Sequence, residues 1–218
     1  ITSVEHEGER VTCLIDNKGS RYEADIFIIN ADAALFRGKV LHRKRFSDSK
    51  LRKMEWTMGY VTAYVGINRK LPDLDVHNYF LGNNFEEYGQ NVLRNPDSLQ
   101  KPYYYVNVVS KNNSDCAPEG SESLFFVCPV PSLLYKSDRS DGEDIVDSIM
   151  DDFSGRIGID IIPHIITKTI YTPKEWEKQF NLYMGSGLGL SHKLGQIGAL
   201  RPRNYDEEFK NLYYVGAS

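Results

Sequence analysis

Five histidines, three cysteines and one glycine cluster are the residues of this 218-residue chain that could carry chemistry by themselves. His6, His42, His77, His164 and His192 show no H-E-x-x-H or other close ligand spacing, so the sequence offers no metal site. His192 borders the glycine cluster and reads either as a general acid or base or as a local hydrogen-bonding residue. Cys13, Cys116 and Cys128 are odd in number and widely spaced, which suggests neither a disulfide framework nor a zinc knuckle. The cluster Gly185-Ser186-Gly187-Leu188-Gly189-Leu190 resembles a dinucleotide loop, but G-x-G-x-x-G requires glycine where Leu190 stands. It also follows a helical pattern, whereas that fingerprint follows a strand. Neither Ser186 nor Ser191 sits in a G-x-S-x-G elbow, and no phosphate-binding P-loop is present. Catalytic residues are therefore unassigned. Asn30, Ala31 and Asp32 leave an apolar run at its carboxyl end, where open α/β sheets place ligands; Asn30 and Asp32 read equally as strand-end and helix-cap residues.

The elements that must position these residues can be traced along the chain. Residues 1–32 read as a hairpin with Asp16-Asn17-Lys18-Gly19 as turn chemistry, followed by a strand at Ile26-Phe27-Ile28-Ile29 buried in a sheet interior. Residues 57–68 alternate, with Met58, Tyr60, Thr62 and Tyr64 on one side and Val61, Ala63, Val65 and Ile67 on the other. Further strands are expected at 76–81, 103–109, 124–130 and 161–171. Ser140 and Glu143 suggest a capping box opening a helix that Gly155 and Gly158 end, with Ile145, Val146, Ile149, Met150 and Phe153 at helical spacing. Thr172, Pro173 and Glu175 suggest a second box and a helix to about Tyr183. Leu212, Tyr213, Tyr214 and Val215 form a last buried strand closed by Gly216. A body inserted between strands of another sheet explains this order. The start within a strand and the stop just after another predict an excised piece of a longer protein.

Composition bounds the partners. The 26 basic and 30 acidic residues give a net charge of −4, which argues against a general nucleic-acid binder. No run is long and apolar enough to span a membrane, and the cysteine usage makes a reducing cytoplasm the simplest compartment. Arg37, Lys39, Arg43, Lys44, Arg45, Lys50, Arg52 and Lys53 gather in one stretch whose single carboxylate is Asp48. That stretch reads as a solvated helix face or as a surface lying peripherally on anionic lipid.

ADIFIINAD at 24–32, APEG at 117–120, PVP at 129–131, NLYMGSGLGLSHKLGQIGALRP at 181–202 and NLYYVGAS at 211–218 together resemble the FAD-dependent phytoene dehydrogenase and carotenoid desaturase family. The resemblance covers nearly the whole chain. It implies an α+β fold: a mixed, largely antiparallel sheet with helices as substrate domain, flanked by strands of an FAD-binding α/β domain. On that basis residues 1–34 are partial FAD domain, 35–200 substrate domain and 201–218 the return strand. FAD contacts are expected at Asn30, Ala31, Asp32, Gly216, Ala217 and Ser218, although the family's upstream G-x-G-x-x-G strand and the segment after YYVGAS are not in this chain. A long isoprenoid or carotenoid substrate is expected against Tyr60, Tyr64, His77, Tyr105, Gln196 and Arg201. The activity implied is desaturation by hydride transfer to FAD, by a protein of which this chain alone would be inactive. A polyene isomerase or saturase on the same scaffold, and a lipid-binding module without chemistry, stay open.

Overall fold

The computed structural model describes residues 1–92 and 103–216. In chain order its first elements are β1 (Ser3–Glu7), β2 (Arg10–Ile15), β3 (Arg21–Glu23), β4 (Phe27–Ile29), α1 (Ala33–Lys39), α2 (Asp48–Leu51), β5 (Gly59–Ile67) and β6 (His77–Phe80). They are followed by α3 (Phe85–Asn91), β7 (Tyr104–Val108), α4 (Val109–Asn112), β8 (Glu122–Val130), α5 (Gly142–Ile157), β9 (Ile165–Tyr171), α6 (Pro173–Phe180) and β10 (Leu212–Tyr214). The fold is α+β. It divides into two compact units, Ile1–Thr57 with Glu177–Ser218, and Met58–Trp176. The boundaries expected at 34/35 and 200/201 fall inside the first unit. Backbone bonds from Thr57 N to Gly189 O and Ser191 N to Glu55 O, both near 3 Å, tie 35–57 and 177–200 together there.

The unit Met58–Trp176 is a five-stranded sheet in the order β6-β7-β8-β5-β9, antiparallel at every pairing. Alternation along each strand sends Val61, Ala63, Val65, Ile67, Val106, Leu124 and Phe126 to one face, where Val146, Ile149, Met150 and Phe153 of α5 cover them. Each fully buried Val, Ile, Leu, Met or Phe among them contributes about 1.5–3 kcal/mol. Gly158 ends α5 in the left-handed conformation at φ 68°, where a residue without Cβ is unstrained, while Gly155 lies inside the helix rather than ending it. The box expected at Ser140 and Glu143 does not form. The Ser140 hydroxyl donates to Asp138 at 3.1 Å, and Asp141 takes the N-cap position with its side chain turned to Lys136. The strand expected from 161 begins at Ile165, because Pro163 sits in a 3-10 turn before it. The box at Thr172 does form: Thr172 N donates to Glu175 Oε2 at 2.9 Å, and α6 follows, ending at Phe180.

In the other unit β1, β2 and β3 form a meander, so the expected hairpin gains a third strand: Gly8-Glu9 turns β1 into β2, and Asp16 to Ser20 turns β2 into β3. β4 and β10 pair in parallel, Phe27 opposite Leu212 and Ile29 opposite Tyr214. These strands were expected to be buried on both faces. Phe27, Ile29, Leu212 and Tyr214 are buried, but Ile26, Ile28, Tyr213 and Val215 are exposed in this chain, because only the α1 side of the pair is covered. Asn211 locks the unit: its amide donates to the carbonyls of Val11 and Asp25 and accepts from Val11 N, at 2.9–3.0 Å.

Candidate functional site

The face of the five-stranded sheet opposite α5 carries a run of aromatic rings, set there by strand register. Tyr79 opposes Tyr105, Tyr105 opposes Val127, Thr62 opposes Val127 and Tyr171, and Tyr64 opposes Phe125 and Thr169, so all share one face. Tyr64 stacks on Phe125 at 4.7 Å and meets Tyr171 edge-on at 5.8 Å. Tyr79 lies 5.1 Å from Tyr105, and Trp176 lies 5.4 Å from Tyr171 at the other edge. With strands about 4.8 Å apart, the five strands give a platform roughly 19 Å across. Tyr79 is 72% exposed and Tyr64 40%, so the rings are open to a ligand and not sealed into a core. Burial pushes the Tyr60 and Tyr64 phenols above their usual range, so both remain neutral at physiological pH. A neutral aromatic surface of this kind binds extended hydrocarbon by dispersion and desolvation, with no ion to repel it.

Four of the expected substrate residues meet on this face. Tyr60 and Tyr64 come from β5, Tyr105 from β7, and His77 from the edge strand β6. His77 Nδ1 is 2.6 Å from the Tyr105 hydroxyl and 3.2 Å from Asn107 Nδ2, a polar group at the rim of the platform. Gln196 and Arg201 belong to the other unit. Gln196 accepts from Glu55 N at 2.9 Å and donates to Glu55 O at 2.8 Å, while Arg201 donates to the Leu190 carbonyl at 3.2 Å. Their polar atoms hold the 190–201 loop in place. Tyr171 and Trp176 were not singled out from sequence. Tyr171 continues the period-two pattern of β9 from Thr167 and Thr169, which is the signal that could have found it.

The residues expected at a flavin edge lie where β4 and β10 end side by side. Asn30 and Ala31 are exposed there, beside a cavity of about 400 Å³ lined also by Ile28, Leu35, Phe36 and Asn181. Gly216 has φ 100°, a backbone conformation that favours glycine, and it lies close to the Asn30 side chain, whose Oδ1 would be 2.7 Å from an added Cβ. Asp32 is buried and spent on structure: Oδ1 accepts from Leu35 N at 2.9 Å as the cap of α1, and Oδ2 from Tyr183 N at 3.1 Å. Burial pushes its carboxyl up, against those backbone N–H groups. Ala217 and Ser218 lie outside the described residues. The site is an exposed backbone turn at the paired strand ends of β4 and β10, and Asp32 is the member of the set already engaged elsewhere.

The basic stretch is less uniform than its sequence suggests. Arg37 is fully buried, its guanidinium 3.6 Å from the Tyr214 ring centroid and paired with Glu207 at 3.2 Å. Arg43 is paired with Asp206 and Glu208. These two are internal ties, which leaves Lys39, Lys44, Arg45, Lys50, Arg52 and Lys53 as surface cations. Among the described residues no group of three or more His, Cys, Asp or Glu is arranged to hold a metal, and no helix is long and apolar enough to cross a membrane.

No family model matches the chain. Among curated proteins it is 29% identical to the phytoene desaturase of Fusarium fujikuroi, over 99% of this chain and 41% of that protein. It is likewise 29% identical to the phytoene desaturase of Phycomyces blakesleeanus, over 99% of this chain and 38% of that protein. With the zeta-carotene-forming phytoene desaturase of Myxococcus xanthus it shares 31%, over 92% of this chain and 39% of that protein. The chain thus spans about two fifths of the length of the curated relatives it matches. Among solved structures, an oxidoreductase from Methanosarcina mazei superposes over 99% of this chain and 43% of its own, with a TM-score of 0.50 at 16% identity, a likeness of fold. Over the stretch it shares with these proteins, the chain is similar to phytoene and carotenoid desaturases.

Proposed function

We propose that this chain supplies the substrate-binding sheet and part of the flavin-binding edge of an FAD-dependent desaturase acting on a long isoprenoid or carotenoid. The observation that carries the reading is the aromatic run Tyr79, Tyr105, Phe125, Tyr64 and Tyr171, which crosses all five strands on the face free of α5. When bound, the flavin supplies the two-electron oxidant for removal of hydride from the hydrocarbon. The rings of β5, β7 and β8 orient the polyene and exclude water. Asn30 and Gly216 hold the cofactor through the exposed turn at the ends of β4 and β10. A peripheral contact of the 37–53 stretch with membrane belongs to the same reading, since a hydrocarbon substrate partitions into lipid.

The test is to prepare the full-length protein, measure flavin absorbance, and analyse products after anaerobic incubation with phytoene. Bound or reconstitutable FAD and products with added double bonds are expected. A protein that stays colourless with added FAD would sink the reading, and unchanged bond count with altered geometry, or fewer double bonds, would turn it to a polyene isomerase or saturase. Tyr64→Ala and Tyr105→Ala are expected to raise KM for the polyene while leaving FAD content unchanged.

A further inference from the structure

Lys44, Lys50 and Lys53 of the basic stretch converge with Arg45 on one cavity of about 660 Å³ in the unit Ile1–Thr57 with Glu177–Ser218. Its lining joins Lys44, Arg45, Lys50 and Lys53 to the apolar residues Met54, Leu190, Leu200 and Pro202, with no carboxylate among the lining residues. Among the described residues, Lys44, Lys50 and Lys53 have no ion-pair or side-chain hydrogen-bond partner; Arg45 is held in place by donating to Leu200 O at 2.9 Å. Like charges gathered without counterion, in a chain of net charge −4, are destabilising unless something anionic joins them. The mouth carries a second, independent signal. Leu194, next to the lining residue Gly195, is 85% exposed, and Leu200 is 56% exposed. Leucines projected into solvent beside unpaired lysines are what an interfacial segment presents to a bilayer, apolar side chains entering the acyl boundary while cations meet phosphates.

We infer that this cavity is a docking site for the phosphate-bearing headgroup of an anionic phospholipid in a bilayer, with Lys44, Lys50 and Lys53 on the phosphate and Leu194 and Leu200 in the acyl region. The inference rests on the peripheral-membrane part of the proposed function and narrows it from a seventeen-residue stretch to one site. A fixed cavity also explains why the fully buried Arg37 and the salt-bridged Arg43 take no part.

Co-sedimentation of the full-length protein with phosphatidylcholine vesicles, with and without phosphatidylglycerol, tests it. Binding is expected only with the anionic lipid, and should fall as salt is raised. The triple variant Lys44→Ala, Lys50→Ala, Lys53→Ala changes only exposed side chains and should bind roughly 100-fold more weakly, each lysine contributing about fivefold. Leu194→Ser should weaken binding without altering its salt dependence, and excess inorganic phosphate should not compete. Equal binding of the triple variant would overturn this site while leaving a membrane contact elsewhere. Competition by inorganic phosphate would assign the cavity to a soluble anion and overturn the lipid. Failure to bind any vesicle would overturn both site and membrane contact, and flavin content would still decide the desaturase reading separately.

Discussion

Asp206 shows how a single residue ties distant segments together. Its Oδ1 accepts from Arg43 at 3.0 Å and from the backbone N–H of Glu208 and Phe209 at 3.0 Å, and its Oδ2 from the Tyr214 hydroxyl at 2.8 Å. Burial pushes the carboxyl up, but the Glu208 N–H, Tyr214, the Phe209 N–H and Arg43 outweigh it, so the pKa lies below the usual carboxylate range. A carboxyl depressed on folding contributes stability that is present above its unfolded pKa, about 4, and is lost as pH falls through the lower folded value. Asp206→Asn should therefore cost about 3 kcal/mol at pH 7, because Arg43 loses a buried partner, and little under strongly acid conditions. Urea midpoints at the two pH values check this; an equal loss at both would show that the charge is not what matters. None of this was legible in sequence, where Arg43 looked like one more surface cation. Pairing across 163 residues follows from tertiary packing, which local composition does not report.

At the scale of elements, the two faces of the five-stranded sheet have opposite roles. Phe153 of α5 is fully buried against Phe80 and Phe126, so Phe153→Ala should cost about 3–5 kcal/mol in thermal unfolding. Tyr64→Ala, on the open face, loses one stacked pair and should cost about 1 kcal/mol, while weakening polyene binding more than any α5 substitution of equal stability cost. Thr172→Ala removes the box that starts α6 and should lower stability by about 1 kcal/mol. Period-two alternation made β5 and its two faces readable, because Val61, Ala63, Val65 and Ile67 leave no other arrangement. The same rule could not say which face met α5 and which stayed open, since both carried apolar residues. Ser140 misled for a related reason: its hydroxyl had a nearer acceptor in Asp138 than the helix it was expected to cap.

For the whole molecule, the inserted-body order was visible because the apolar runs at 26–29 and 212–215 resembled strands of one sheet, and they do pair. The boundary at Thr57 was not visible, since the contacts of Glu55, Trp56 and Thr57 with Ser186 to Gln196 have no local sequence signal. Removing residues 204–218 should unfold the unit Ile1–Thr57 with Glu177–Ser218, which loses Asp206, Asn211, Leu212 and Tyr214, but spare Met58–Trp176. In a Trp176→Phe background Trp56 fluorescence should shift to the red, while far-UV circular dichroism keeps a cooperative transition. Loss of both signals together would show that the units do not fold independently.

The tie between Asn211 and Val11 also sets a timetable for synthesis. On a ribosome β1 to β3 can pair as soon as they are made, and the strands of Met58–Trp176 among themselves, whereas within this chain β4 meets its parallel neighbour only when β10 is made. At about 5–20 residues per second, that wait is on the order of ten seconds or more. Throughout it Ile26, Phe27, Ile28 and Ile29 form a nascent apolar strand whose β10 edge is unpaired, the kind of segment that holdase chaperones shield. Yield in a cell should accordingly depend on chaperone supply more than the finished protein's stability would suggest.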